Sequence, residues 1–368
     1  MVYLEKKKSS GFNRRLMVLF MRSKTFRESY REDIKLFHTL WIKSWLTLFM
    51  LFFLSIPLWV DPYVIYMTNI AGIAVIAAMG LNILTGFTGQ ISLGHAAFVA
   101  LGAYTSAILA TKIGWPFWIS IPAGGVVAAF FGILLGFPCL RLKGLYLAMA
   151  TMSFCVVVEY TVTHWESLTM GVRGISIPGA ALFGTSLSDD TRFFYVIAFF
   201  VILLTIAAKN LIRTRVGRAF VAIRDRDVAA EVIGVNLTKY KVTSFAISSF
   251  YGGIAGGLYS YYTGYLHPEN FTILLSIEYI AMIIVGGMGS ILGSIFGGIF
   301  LTIVPDIVKA FADFLGENFA FFRGLYDEEW NIATFGLLII VFLIVEPTGL
   351  SGIWNRIKTC FKNWPYTY

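Results

Sequence analysis

Apolar runs of spanning length recur along this 368-residue chain near 44–60, 62–84, 91–111, 116–138, 144–163, 192–211, 241–263, 271–286, 291–312 and 331–346. A helix needs about 20 residues to cross the hydrocarbon core, so the pattern predicts an all-α polytopic membrane protein of about ten transmembrane helices. Three polar stretches interrupt it: residues 1–43, the insert 209–241, and a glycine-broken segment around Gly80–Tyr104. That division gives a basic N-terminal segment (1–43), a transmembrane domain (44–346) and a C-terminal tail (347–368). Close helix packing is expected at Gly132/Gly136, Gly252/Gly256, Gly253/Gly257 and Gly293/Gly297, where small residues let backbones approach.

Composition agrees. The chain is 57% hydrophobic and only 14% charged, and a soluble protein of this size could not hide so much apolar surface. Its net charge of +8 is no nucleic-acid signature, because the basic residues gather in two places beside apolar runs. Eleven Lys and Arg precede residue 44 and eight lie in 209–241. Counting basic residues per connection puts both termini, Gly86–Gln90, Arg141/Lys143, the 209–241 insert and Gly286–Ser290 on the cytoplasmic side. Asp61, Lys112, the 164–191 loop, His267/Glu269 and an acidic connection ending in Asp327, Glu328 and Glu329 then lie outside. The N-terminal segment is too long for the basic region of a signal peptide. Phe26, Tyr30, Ile34, Phe37 and Trp41 recur in it at helical spacing, as in an amphipathic helix resting on an anionic bilayer. Cys139, Cys155 and Cys360 have neither disulfide nor metal spacing.

Residues 80–104 (GLNILTGFTGQISLGHAAFVALGAY) set Gln90, Ser92 and His95 among glycines. Glycine breaks between apolar runs are a pointer to a transporter site built on a broken or re-entrant helix; the alternative is a tight polar turn with His95 as a packing residue. Glu159 and Glu278 lie within apolar runs, where a charge is costly and usually faces a cavity or partner. Either is suited to a substrate ammonium; either is equally suited to an interhelical bridge. Asp306 and Lys309 are expected to neutralise each other.

The 209–241 insert reads as one amphipathic helix. Val221, Val228, Val232 and Val235 share a face with Asp225; Arg224, Asp227 and Glu231 take the polar side; Gly234 supplies a left-handed end. Such a helix is suited to docking on a soluble partner. No GxxxxGK[ST] occurs, so ATP is not bound here by a P-loop, and no hydrolase or metal motif appears. The chain is read as no enzyme, with no cofactor of its own. An ion-coupled carrier and a scaffolding membrane protein are the other readings.

Residues 81–104, 216–236 (VGRAFVAIRDRDVAAEVIGVN), 277–298 (IEYIAMIIVGGMGSILGSIFGG) and 345–354 (VEPTGLSGIW) resemble, in order, the LivM branch of the branched-chain amino-acid ABC importer permeases. The resemblance implies an inner-membrane, multi-pass permease working by alternating access, paired with a homologous second permease. Two ATP-binding subunits, carrying ATP and Mg, and a periplasmic solute-binding protein complete the expected assembly. It implies that Arg224, Asp225, Glu231 and Gly234 belong to the coupling helix received by an ATPase. It also implies that Gly86–His95 and Glu159 lie near the path. Thr169–Ile175 resembles a Thr-Gly-Gly motif in which Met170 replaces the first glycine and Arg173 is an added charge; Ser294 stands where the family often has proline. These departures leave relatives that carry urea or short amides as an alternative.

Overall fold

A computed structural model describes residues 53–140, 142, 144–182, 185–186, 189–318 and 348–363. It also describes positions 44, 47, 48, 50, 336, 337, 340–342, 344 and 346. The amphipathic helix expected before residue 44 and Asp327–Glu329 lie outside them, as do part of the run 44–60 and most of the run 331–346. Packing divides the chain into Asp61–Asn355 and a second unit, Met1–Val60 with Arg356–Tyr368.

The helices of the first unit are α1 (Pro62–Leu81), α2 (His95–Ile108), α3 (Phe117–Cys139), α4 (Leu145–His164), α5 (Asp190–Arg213), α6 (Arg215–Asp225), α7 (Asp227–Val232), α8 (Leu237–Thr263), α9 (Ile273–Gly286) and α10 (Ile291–Asn318). A further helix, α11 (Gly349–Asn363), runs on into the other unit. Wider π-type turns extend α1 through Asn82–Phe87 and α2 through Leu109–Ile113. Among the described residues, strand is confined to two antiparallel pairs of two-residue strands, β1 (Ile175–Ser176) with β4 (Tyr265–Leu266) and β2 (Ala181–Leu182) with β3 (Thr185–Ser186).

Seven helices among the described residues are long and apolar enough to cross a membrane. α8 is an eighth of spanning length, with 27 residues. Serine, glycine and tyrosine lower its hydropathy, yet it lies at the centre against α1, α2 and α3, where protein rather than lipid surrounds it. α5, α9 and α10 pack around α1, and α4 lies on α2. The outward faces are apolar: Val126, Phe130 and Leu134 on α3, Met149, Val156 and Tyr160 on α4, Phe199 and Leu203 on α5 are all exposed. Surface of that extent is suited to lipid and not to water. This is a polytopic all-α membrane protein; the eight helices described do not fix the expected count of ten.

The glycine pairs form the expected seams. A Cβ at Gly253 or Gly257 would press on α3 at Gly124, Ala128 and Ile121, and one at Gly252 or Gly256 on α2. Gly256 is the tightest of the four, because its Cβ would fall on the Val99 carbonyl. Gly297 approaches the Met282 carbonyl of α9 in the same way.

The connections sort to two ends. At one, β1 of the 164–191 connection pairs with β4 after α8, and the Asn69 amide and Tyr262 hydroxyl both donate to Asp190, at 3.1 Å. At the other end lie Gly86–Gly89, α6 and Gly287–Ser290, with Thr348–Ser351 packed on Gly287. The expected ion pair Asp306–Lys309 does not form; ion pairs among the described residues include Arg192 with Asp189, Lys241 with Asp227 and His267 with Glu269.

Candidate functional site

Helix α1 does not turn straight into α2. After Thr88 the chain runs non-helically through Gly89–Gly94 before α2 begins at His95, four residues later than the apolar pattern alone places it. The partners of this segment climb the bundle. Gly89 lies on Arg224 of α6. Gln90 donates to the Ser244 hydroxyl at 2.7 Å, in the second turn of α8. The Leu93 amide donates to Thr151 Oγ1 of α4 at 3.0 Å, and the Ala96 amide to Ser276 Oγ of α9 at 2.9 Å. His95 then rests on Gly252 of α8, where a Cβ would lie 3.2 Å from its Cε1. Ser244 to Gly252 is about 12 Å of helix rise. The segment therefore re-enters the bundle, and α2 starts at depth. The Leu93 and Ala96 backbone amides and the Gln90 side-chain amide are matched by hydroxyls of three neighbouring helices, as irregular backbone at depth requires.

Of the residues singled out in the sequence, Gln90, Ser92 and His95 are brought together here and all are buried. Gln90 and Ser92 make bonds inside the chain; the Ser92 hydroxyl accepts from the Gly94 amide at 3.4 Å. The imidazole of His95 is enclosed by Gly80, Gly252, Phe98 and Tyr279, whose ring meets it edge-on at 5.7 Å between centroids. Among the described residues neither ring nitrogen has a hydrogen-bond partner of good geometry. Glu159 on α4 and Glu278 on α9 are half-buried, on helices that touch each other. Among the described residues no cluster of His, Cys, Asp or Glu is suited to a metal ion.

The 209–241 insert departs from the single helix expected. Thr214 Oγ1 caps α6 by accepting from the Val216 amide at 3.2 Å, a favoured N-cap. α6 stops at Asp225, Arg226 is extended (φ −157°, ψ 109°), and α7 is a separate short helix. Gly234 ends α7 as expected, at φ +91°, with Gly234 N bonded to Glu231 O and Val235 N to Ala230 O, both at 2.9 Å. That is the two-bond glycine end of a helix. Asn236 Oδ1 then caps α8 through the Lys239 amide.

Phe220, Ile223 and Ala230 turn into the bundle. Val221, Val228 and Val232 stay exposed as the stripe predicted, and Ile233, 75% exposed, joins Val232, 83% exposed. Asp225 and Glu231 are exposed too. Arg224 stays exposed and Asp227 is half-buried on the expected polar side, and both also bond to the bundle. Asp227 pairs with Lys241 of α8 at 3.7 Å, and Arg224 Nη1 donates to the Gly86 carbonyl at 2.7 Å.

Asn82 stands among the polar residues of the glycine-broken segment 80–104 but was given no role of its own. Its Nδ2 donates to Ser290 O at 2.8 Å and to Ser294 Oγ at 2.7 Å, while its Oδ1 accepts from Gly289 N at 2.9 Å. It joins the end of α1 to the α9–α10 connection, and Ser294 serves it as an acceptor. Asparagine in an apolar run was the available signal, since a buried amide must find partners.

The family described as branched-chain amino acid transport system / permease component matches residues 63–343. The chain is 33% identical over 302 residues to the high-affinity branched-chain amino acid transport system permease protein LivM of Salmonella typhimurium, covering 76% of this chain and 67% of that one. It is 31% identical over 331 residues to LivM of Escherichia coli, covering 83% and 74%. It is 23% identical over 298 residues to LivH of Salmonella typhimurium, covering 75% and 90%. No solved structure matches the chain.

Proposed function

The chain belongs to the branched-chain amino acid transport permease family, and on that premise we propose that it is one permease subunit of an ATP-driven importer for branched-chain or similar hydrophobic amino acids. A LivH-like second permease pairs with it, two ATP-binding subunits carrying ATP and Mg dock below, and a solute-binding protein docks above. The end holding Gly86–Gly89, α6, α7 and Gly287–Ser290 faces the cytoplasm, with both termini. The 164–191 connection faces the periplasm and receives the binding protein. The basic segment 1–43 lies on the cytoplasmic leaflet.

One observation carries the reading: an exposed apolar patch, Val228, Val232 and Ile233, on the most highly charged connection between described helices. Water gives such a patch no reason to exist, and a groove in a soluble partner does. ATP binding draws the partner subunits together and moves α6 and α7. ATP shifts the balance between inward- and outward-facing states only through contacts that differ between them; this patch supplies such contacts. Glu159 and Glu278 flank the path and accept bonds from the substrate ammonium. Gln90, Ser92 and His95 frame the path from behind, and His95 gains partners when the bundle opens.

Gentle purification from the membrane tests the proposal. A sister permease and two ATP-hydrolysing subunits are expected to accompany the chain. A lone chain that transports under a proton or sodium gradient would replace this reading with an ion-coupled carrier.

A further inference from the structure

Four contacts converge beside α6. Arg224 Nη1 donates to the Gly86 carbonyl at 2.7 Å. The Arg224 stem lies over Gly89 (φ +74°), whose Cβ would meet it at 3.4 Å. The guanidinium also covers Gly289 (φ +75°), where a Cβ would collide with Nη1. Asn82 binds Gly289, Ser290 and Ser294 from the other side. One cation thus touches both Gly86–Gly89, where the helical extension of α1 ends, and Gly287–Ser290 between α9 and α10, which Asn82 ties to that same extension. Gly89 opens the re-entrant segment Gly89–Gly94, and α10 follows Gly287–Ser290.

We propose that Arg224 is the positioning residue that fastens the cytoplasmic element α6 to these two glycine loops, so that α6 cannot move without moving both. The inference rests on the importer reading and adds the route by which motion enters the bundle. The geometry explains the residue type. A guanidinium presents five donors on a flat fork and stacks its plane over backbone. Glycine at 89 and 289 provides the space and the left-handed φ. The rest of Arg224 is exposed, so the side chain is not needed to fill a core.

The test uses the complete transporter in proteoliposomes, with its binding protein and radiolabelled leucine as probe. Three quantities are read: ATPase subunits bound per permease, the rate of ATP hydrolysis, and leucine taken up per ATP. Arg224→Met keeps the apolar stem over Gly89 and removes the charged donor. It is expected to keep its ATPase subunits and its hydrolysis, and to lose about tenfold in leucine per ATP, the scale of one charge-assisted hydrogen bond. Arg224→Lys restores a donor and is expected to recover at least part of the loss. The proposal is overturned if leucine per ATP is unchanged in Arg224→Met. It is equally overturned if bound ATPase subunits and hydrolysis fall in step with uptake, which would make Arg224 a docking residue. Failure of Arg224→Met to assemble would make it a folding requirement and sink the proposal as well. If the unmodified assembly takes up no leucine on ATP, it is the importer reading that fails.

Discussion

Gln90 gives its side-chain N–H to Ser244 at 2.7 Å, and the two residues are buried where the re-entrant segment meets α8. Ser244→Ala strands the Gln90 amide away from water, at a cost of about 1–3 kcal/mol, whereas in Gln90→Ala the Ser244 hydroxyl keeps its donation to the Lys241 carbonyl at 2.7 Å. Both variants are expected to lower the thermal midpoint of the purified protein, Ser244→Ala by more. Adding Gln90→Ala to Ser244→Ala removes the stranded amide, so the double variant is expected to lose less than the sum of the two single ones. Strict additivity in a melt series would show that this bond does not hold the segment.

Val232→Asp probes the proposed docking face. The side chain is 83% exposed, so the fold is expected to be untouched. A carboxylate in an apolar contact should weaken association with the ATPase subunits by about tenfold or more. Pull-down at graded salt measures this. Unchanged association would remove α7 from the interface.

The glycine seam gives a graded prediction. At Gly256 a Cβ would strike the Val99 backbone carbonyl, which cannot rotate away; at Gly136 the nearest atoms lie at 3.4 Å. Gly256→Ala is expected to cost about 1–3 kcal/mol or more through forced separation of α8 and α2. Gly136→Ala should be close to neutral. Equal melting midpoints would contradict the close packing described.

These seams were legible in the sequence, as were the helices that build them. Runs of apolar residues and small-xxx-small pairs are local signals, and lipid as solvent leaves helices as the main way to satisfy the backbone. The sorting of Gly86–Gly89, α6 and Gly287–Ser290 to one end also followed from strict alternation of spans. The break at Arg226 did not, because no glycine or proline marks it. The bond from Arg224 to the Gly86 carbonyl was hidden for a different reason. Periodicity gives the angle between residues on a helix, not which face meets the bundle. Asn82 with Gly289 and Ser290 joins positions some two hundred residues apart, and no local pattern encodes such a pairing. The re-entrant depth of Gly89–Gly94 depends likewise on hydroxyls at Thr151, Ser244 and Ser276 that lie on three other helices.

Met170 stands at a left-handed position, φ +60°, the one non-glycine residue at positive φ among the described residues. The sequence resemblance expects glycine there. Left-handed backbone costs an L-residue with a Cβ about 1–2 kcal/mol, partly offset by the greater freedom glycine has when unfolded. Met170→Gly is expected to stabilise by about 0.5–1 kcal/mol. The side chain is 56% exposed and little packing is lost. A lower melting midpoint for Met170→Gly would show that methionine makes a contact worth more than its strain.

The central claim is that this chain moves a hydrophobic amino acid using energy supplied by partners. The most direct measurement is uptake of radiolabelled leucine into proteoliposomes holding this chain, its sister permease and the ATP-binding subunits, with binding protein and ATP supplied. The account predicts uptake that requires ATP and the binding protein together and stops when this chain is omitted. Uptake by this chain alone under an ion gradient, with ATP without effect, would contradict it.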